Sequence, residues 1–215
     1  HDFEGVWNST EGELRLHKVE DFIIGDYAGR GIIIGRMDDG CLSGVFTNGD
    51  ENGIFRFNMA GKDRFTGQWA WYGDSLGGTW NATRTSSQPP AALQNFTRGT
   101  GTTTAADTAA TTYDGIYNSQ FANEVRLLSR DMFLIGDYGN RGIFAGMWDG
   151  DSFVGKFTNG ERTGWFDFAF DPGTGNFKSG DWGWVGQGRS GGWWLSRKTK
   201  VTPKIDNVTD DVSCP

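Results

Sequence analysis

Residues 22–27 read Phe-Ile-Ile-Gly-Asp-Tyr and residues 133–138 read Phe-Leu-Ile-Gly-Asp-Tyr, so the chain repeats itself at a shift of 111 residues. At that shift Arg30-Gly31-Ile32 falls on Arg141-Gly142-Ile143, Gly35 on Gly146, and Phe46-Thr47-Asn48-Gly49 on Phe157-Thr158-Asn159-Gly160. Small insertions then bring Trp69 and Trp71 onto Trp182 and Trp184, and Gly77-Gly78 onto Gly191-Gly192. Solenoid units run to about 50 residues at most and cannot stand alone, so a period this long implies duplicated domains. The expected organisation is copy one over residues 1–85, a Pro then Gly/Thr/Ala-rich linker over 86–112, copy two over 113–198, and an extended tail over 199–215.

Within each copy the pattern is that of strands. Gly 34, Trp 10 and Phe 16 make a composition in which aromatic residues suit a pleated sheet and glycine interrupts helices. Short alternating segments recur about every ten residues, with Asp39-Gly40, Asn48-Gly49 and Asn52-Gly53 as candidate tight turns. The expected fold is all-β: two tandem antiparallel meander β-barrels of about eight short strands each. In copy one, alternation collects Trp7, Leu14, Leu16, Ile23, Tyr27, Ile33, Met37, Leu42, Phe46, Phe55, Phe57, Phe65, Trp69, Trp71 and Trp80 on one face, the predicted core. Gly25, Gly35, Gly44, Gly67 and Gly78 share that face and predict a row without side chains where the sheet can curl. The other face carries Phe22, Ile24, Ile32, Ile34, Val45 and Ile54, and in copy two Phe133, Ile135, Ile143, Ala145 and Trp165. Such contiguous strips ask for a partner, either the other half of the chain or another molecule.

Gly5-Val6-Trp7-Asn8, Leu14-Arg15-Leu16, Gly25-Asp26-Tyr27 and Phe65-Thr66-Gly67-Gln68-Trp69 resemble the strand motifs of the avidin family in the same order. The resemblance implies an eight-stranded up-and-down barrel with a ligand at its open end. It places Asn8 and Tyr27 at ureido-contacting positions and Trp69, Trp71 and Trp80 in the walls, with Asn118, Tyr138, Trp182, Trp184 and Trp194 as counterparts in copy two. Where the avidin pattern carries a hydroxyl after the first turn, this chain has Glu13 and Glu124, so the likeness extends to fold and not to ligand.

The formal net charge of -7 leaves no basic stripe for phosphates, so nucleic acid is not an expected partner. No apolar run approaches the ~20 residues that span a bilayer, and no charged-then-apolar signal segment opens the sequence. Sequons at Asn8, Asn81, Asn95 and Asn207 and a threonine-rich linker point to a secreted, extracellular glycoprotein. Cys41 and Cys214 permit one disulfide, within the chain or between chains.

Signs of catalysis are sparse. His17 aligns with Leu128 and Cys41 with Ser152, so no Ser/His/Asp or Cys/His set is shared by the copies. Asp26 with Glu13 could be imagined as a glycosidase pair, but Asp26 beside Arg30, like Asp137 beside Arg141, reads as charge pairing on the solvent face. Asp38-Asp39-Gly40 and Asp149-Gly150-Asp151 fit turns better than calcium loops, and a copper site at His1 would need His17. The expectation is no enzyme, no metal and no cofactor.

The tail spaces Val201, Ile205, Val208 and Val212 among polar residues and could add as a strand to a sheet edge. Cys214 could then bond Cys41 of the same chain as a clasp, or of the next chain as a head-to-tail link. The sequence thus suggests a self-associating, fibril-forming structural subunit first. A carbohydrate- or small-ligand-binding module with a tryptophan-rich barrel mouth comes second.

Overall fold

Wherever alternation is broken by a turn residue, the chain reverses and pairs with itself. The computed structural model describes residues 2–97, 102–104, 113–139, 142–150, 152–171, 174–209 and 211–215. His1, Arg141, Asp151 and most of the threonine-rich stretch lie outside the described residues.

The first half forms β1 (Gly5–Ser9), β2 (Gly12–Val19), β3 (Phe22–Tyr27), β4 (Gly31–Asp38), β5 (Cys41–Asn48), β6 (Glu51–Met59), β7 (Arg64–Trp71), β8 (Gly78–Thr79) and β9 (Ala82–Ser86). Each of β1 to β7 pairs antiparallel with the next, and β9 pairs with both β7 and β1. The result is an eight-stranded antiparallel barrel, with β8 as a two-residue rung on β7. The residues that alternation assigns to the core of this half all belong to one apolar cluster, with Met37, Trp69 and Trp71 partly buried at its margin, and Phe3, Met59 and Ala82 join it. The Asp39-Gly40 turn has positive φ at both central residues, 39° and 80°, the twist that two-residue hairpins need. Asn52-Gly53, expected as a turn, instead lies inside β6.

Next come β10 (Ala92–Gln94) and β11 (Thr102–Thr104), a two-stranded ribbon. The second half forms β12 (Gly115–Ser119), β13 (Val125–Arg130), β14 (Phe133–Tyr138), β15 (Gly142–Trp148), β16 (Ser152–Asn159), β17 (Arg162–Asp171), β18 (Asn176–Trp184), β19 (Gly191–Gly192) and β20 (Leu195–Thr199). The same succession of antiparallel pairings runs from β12 to β18, and β20 pairs with both β18 and β12. Its apolar interior is a separate cluster that includes Tyr117, Tyr138, Phe144, Phe166 and Trp193.

The expected glycine row shrinks to a pair. Gly25 pairs with Ile33 and Gly67 with Phe57, whereas Gly35 faces Gly44 directly, and Gly146 faces Gly155. A Cβ on Gly44 would stand 2.0 Å from the Ile34 carbonyl oxygen, and one on Gly155 2.1 Å from that of Ala145. The bare site is therefore a close approach of two backbones.

The outer apolar strips cover one another. Phe22, Ile24, Ile32 and Ile34 share a third cluster with Leu128, Phe133, Ile135, Ile143, Ala145 and Met147, and Val45 packs against it. Burying each large side chain there stabilises the packing of the halves by about 2 kcal/mol. Ile54 is covered with Ala70 by Val212 of the tail, and Trp165 is also buried. His17, expected on the surface, is half-buried with its ring 5.2 Å from that of Phe133, and burial lowers its pKa.

Two segments read from sequence as linker and tail complete this interface. Leu93 and Phe96, and likewise Ile205 and Val208, are buried in the same cluster. We call residues 93–97 and 205–209 the straps. The linker is thus not a plain spacer at this end, because it has enough apolar side chains to dock. Nor does the tail add as a strand among its described residues beyond β20: Ile205, Val208 and Val212 are buried on the sheets while Val201 stays exposed. Cys214 bonds Cys41 of the same chain across 173 residues, so the tail is a clasp.

Candidate functional site

Side chains at the ends of the core-facing rows form an aromatic mouth in each half. In the first, Phe46 ends β5, Trp69 and Trp71 end β7, Tyr27 ends β3, and Trp80 lies between β8 and β9. Phe46 is the hub, with ring centroids 5.8 Å from Trp69, 5.7 Å from Trp71 and 5.5 Å from Trp80. Tyr27 lies 5.0 Å from Trp80. Burial raises the Tyr27 pKa and leaves its hydroxyl without a partner among the described residues. In the second half Phe157 is the hub, 6.0 Å from Trp182, 5.7 Å from Trp184 and 5.1 Å from Trp193, with Tyr138 5.5 Å from Trp193. Here the Tyr138 hydroxyl donates to the Thr158 carbonyl at 2.6 Å.

Phe121, from the β12–β13 turn, adds a ring 5.5 Å from Trp182. It helps line a cavity of about 50 Å³ with Tyr138, Phe157, Asn159, Trp182, Trp184 and Trp193. That space suits a water or a methyl group, far below the several hundred Å³ of an enclosing ligand pocket. The indole N–H groups of Trp182 and Trp193 find no acceptor among the described residues. Arg162 places its guanidinium carbon 3.8 Å from the Trp184 ring centroid, a cation–π contact at the rim.

The two rims are locked together. Asn52 Nδ2 donates to the carbonyls of Gly160 and Arg162, Thr163 Oγ1 donates to the Glu51 carbonyl, and the Thr163 amide donates to that of Asp50. These bonds join the β5–β6 hairpin to the β16–β17 hairpin and fix the spacing of the mouths.

No family model matches this chain, and no curated protein or solved structure does either. Tyr27, Trp69, Trp71 and Trp80 come together at the first mouth, and Tyr138, Trp182 and Trp184 at the second. Asn8 and Asn118 do not: each follows an inward aromatic, Trp7 or Tyr117, and alternation turns it out to solvent. Asn8 shares a shallow surface depression of about 330 Å³ with Asn81, a partly exposed sequon asparagine. Trp194 is 44% exposed, whereas Trp193 is 2% exposed and occupies the place of Trp80. The amides of Trp80 and Trp193 donate to the carbonyls of Gly67 and Gly180, so the repeat offset here is 113. Aligning the neighbouring glycines slips the register by one residue and turns the side chain to the opposite face.

The carboxylates are engaged elsewhere. Asp26 is fully buried and paired with Arg15, not Arg30, with Nε 2.8 Å from Oδ1, and it accepts the Gln94 amide of the first strap. Asp137 is fully buried against Arg126, with Nε 2.7 Å away, and accepts the amides of Asp206 and Asn207 at 2.9 and 3.1 Å. Burial raises the Asp26 pKa to about 6 against the opposing pull of the Gln94 amide and Arg15, and burial also pushes the Asp137 carboxyl up against Arg126 and the second strap's amides. Glu13 and Glu124 are exposed, so Glu13 and Asp26 do not face each other across a cleft. Asp149 accepts the Ser152 amide as a turn residue. Among the described residues no group of three His, Cys, Asp or Glu could hold a metal ion.

Proposed function

We propose that the chain is an extracellular glycoprotein built as a duplicated pair of barrels, and that its two aromatic mouths form a paired site for a carbohydrate. The observation that carries this is the recurrence of one five-ring constellation, Tyr27/Phe46/Trp69/Trp71/Trp80 and Tyr138/Phe157/Trp182/Trp184/Trp193, at two rims tied by hydrogen bonds.

A cavity of about 50 Å³ favours a ligand that lies across the mouth and not one swallowed by it. Pyranose rings suit such a surface, because their C–H faces pack on partly exposed indoles while their hydroxyls reach polar groups at the edge. Asn159 and Arg162 stand at that edge and offer polar groups to such hydroxyls. Two subsites at fixed spacing raise the avidity for a polymer above that for a monosaccharide. The intrachain disulfide supports an oxidising compartment. Self-association has less to recommend it, since the apolar strips and both cysteines are engaged within the chain.

A glycan array with Trp71→Ala and Trp184→Ala tests the reading. Each variant should bind an oligosaccharide about tenfold more weakly, a loss of roughly 1.4 kcal/mol, and the double variant should not bind. Binding that is indifferent to both substitutions would refute it.

A further inference from the structure

The two straps occupy equivalent places by equivalent means, although their sequences share only a pattern. Residues 93–97 read Leu-Gln-Asn-Phe-Thr and residues 205–209 read Ile-Asp-Asn-Val-Thr. In each, the apolar residues on either side of Asn point into the cluster between the halves. In each, a buried aspartate held by an arginine accepts strap amides: Asp26 from Gln94, and Asp137 from Asp206 and Asn207. The Asn side chain then reads a main-chain carbonyl. Asn95 Nδ2 donates to the Gly31 oxygen at 3.3 Å, and Asn207 Nδ2 donates to the equivalent Gly142 oxygen at 3.2 Å and to that of Gly139 at 2.8 Å.

We propose that the outer groove of each barrel, over β2–β4 and over β13–β15, is a binding site for a short peptide of pattern apolar-x-Asn-apolar that turns at its Asn, as Asn95 does with its positive φ and Asp206–Thr209 does through the Thr209 amide on the Asp206 carbonyl, and that the straps are its intramolecular occupants. The site goes beyond the aromatic mouths and does not depend on what they bind. Its recognition chemistry is defined. A pre-oriented carboxylate takes peptide N–H groups, a glycine carbonyl selects the carboxamide, and the apolar floor accepts Leu or Ile at one position and Phe or Val at the other. Charge-assisted bonds from amides to a buried carboxylate are stronger than neutral ones, and they give a short segment an anchor. The variation Gln94 to Asp206 at the second position shows that this side chain is not read by the aspartate, which contacts main chain there.

The test keeps the folded chain. A protease site placed at the exposed Val201 is cleaved, Val212→Ser removes the contact with Ile54 and Ala70, and the disulfide is then reduced, leaving the tail held by the strap contacts without a covalent bond. The fragment should co-elute with the body at micromolar concentration. A synthetic peptide of residues 203–209 should displace it, whereas the same peptide with Asn207→Ala should fail or need at least tenfold more. Loss of the fragment with no rebinding of either peptide, or equal displacement by both, would overturn the proposal. A second measurement needs no cleavage. In the disulfide-intact Asn207→Ala chain, amide exchange at Asp206 and residue 207 should rise at least tenfold while β14 amides keep their protection. Unchanged strap exchange, or an equal rise throughout β14, would count against it.

Discussion

Cys41 opens β5 and Cys214 stands one residue from the end of the sequence, and their bond pins the tail across the interface of the halves. Cross-linking a loop of 173 residues removes denatured-state entropy worth about 5 kcal/mol in the chain-entropy model. Cys214→Ser should therefore lower stability to urea by up to that amount while the chain stays monomeric on size exclusion. A disulfide-linked ladder in the unreduced wild type would contradict the clasp.

Lys156 ties the halves from the other side. It is almost fully buried, donates to the Thr97 carbonyl beside the first strap at 2.5 Å, and burial lowers its pKa to about 8. The folded chain thus sheds this proton before the unfolded chain does. Stability should rise as pH climbs from about 8 towards the ordinary lysine value, by up to about 3 kcal/mol. Denaturation midpoints at pH 7.5, 8.5 and 9.5 measure this, and Lys156→Met should flatten the trend.

The close approach of β4 and β5 separates two kinds of glycine. Gly44→Ala puts a methyl 2.0 Å from a backbone oxygen and should cost about 3 kcal/mol or more. Gly40→Ala meets nothing within 4 Å and should cost only about 1 kcal/mol, through its positive φ. Equal losses in thermal denaturation would refute the contrast.

Sequon use should follow the fold. Asn8 is exposed and Asn81 is partly so, while Asn95 is 5% exposed and the Asn207 carboxamide donates to two carbonyls. Peptide mapping after enzymatic deglycosylation in heavy-oxygen water should find glycan scars at Asn8 and Asn81 alone. Full occupancy at Asn207 in folded protein would be inconsistent with its bonds.

Strands and core are legible in this sequence because a period of two survives even where glycines interrupt it. The aromatic mouths follow from the same alternation. At Asn8 the motif resemblance and the alternation disagree, and alternation holds, since a residue next to inward Trp7 faces out. Trp194 stands in for Trp193 only because the glycine pairs are aligned one residue out, whereas the ladder keeps one register from Trp69 on Gly78 to Trp182 on Gly191. The straps have no period at all. Their four-residue pattern is visible twice, yet Asn-x-Thr reads more readily as a glycan acceptor, and the buried aspartates that fix its meaning lie about 70 residues away.

The most direct measurement of the central claim is a titration of indole N–H resonances with a soluble oligosaccharide that the array selects. Trp69, Trp71, Trp182 and Trp184 should shift together and saturably, while the deeply buried Trp7 stays fixed. Saturable binding that moves none of the four, or moves exposed Trp194 alone, would contradict the paired mouths.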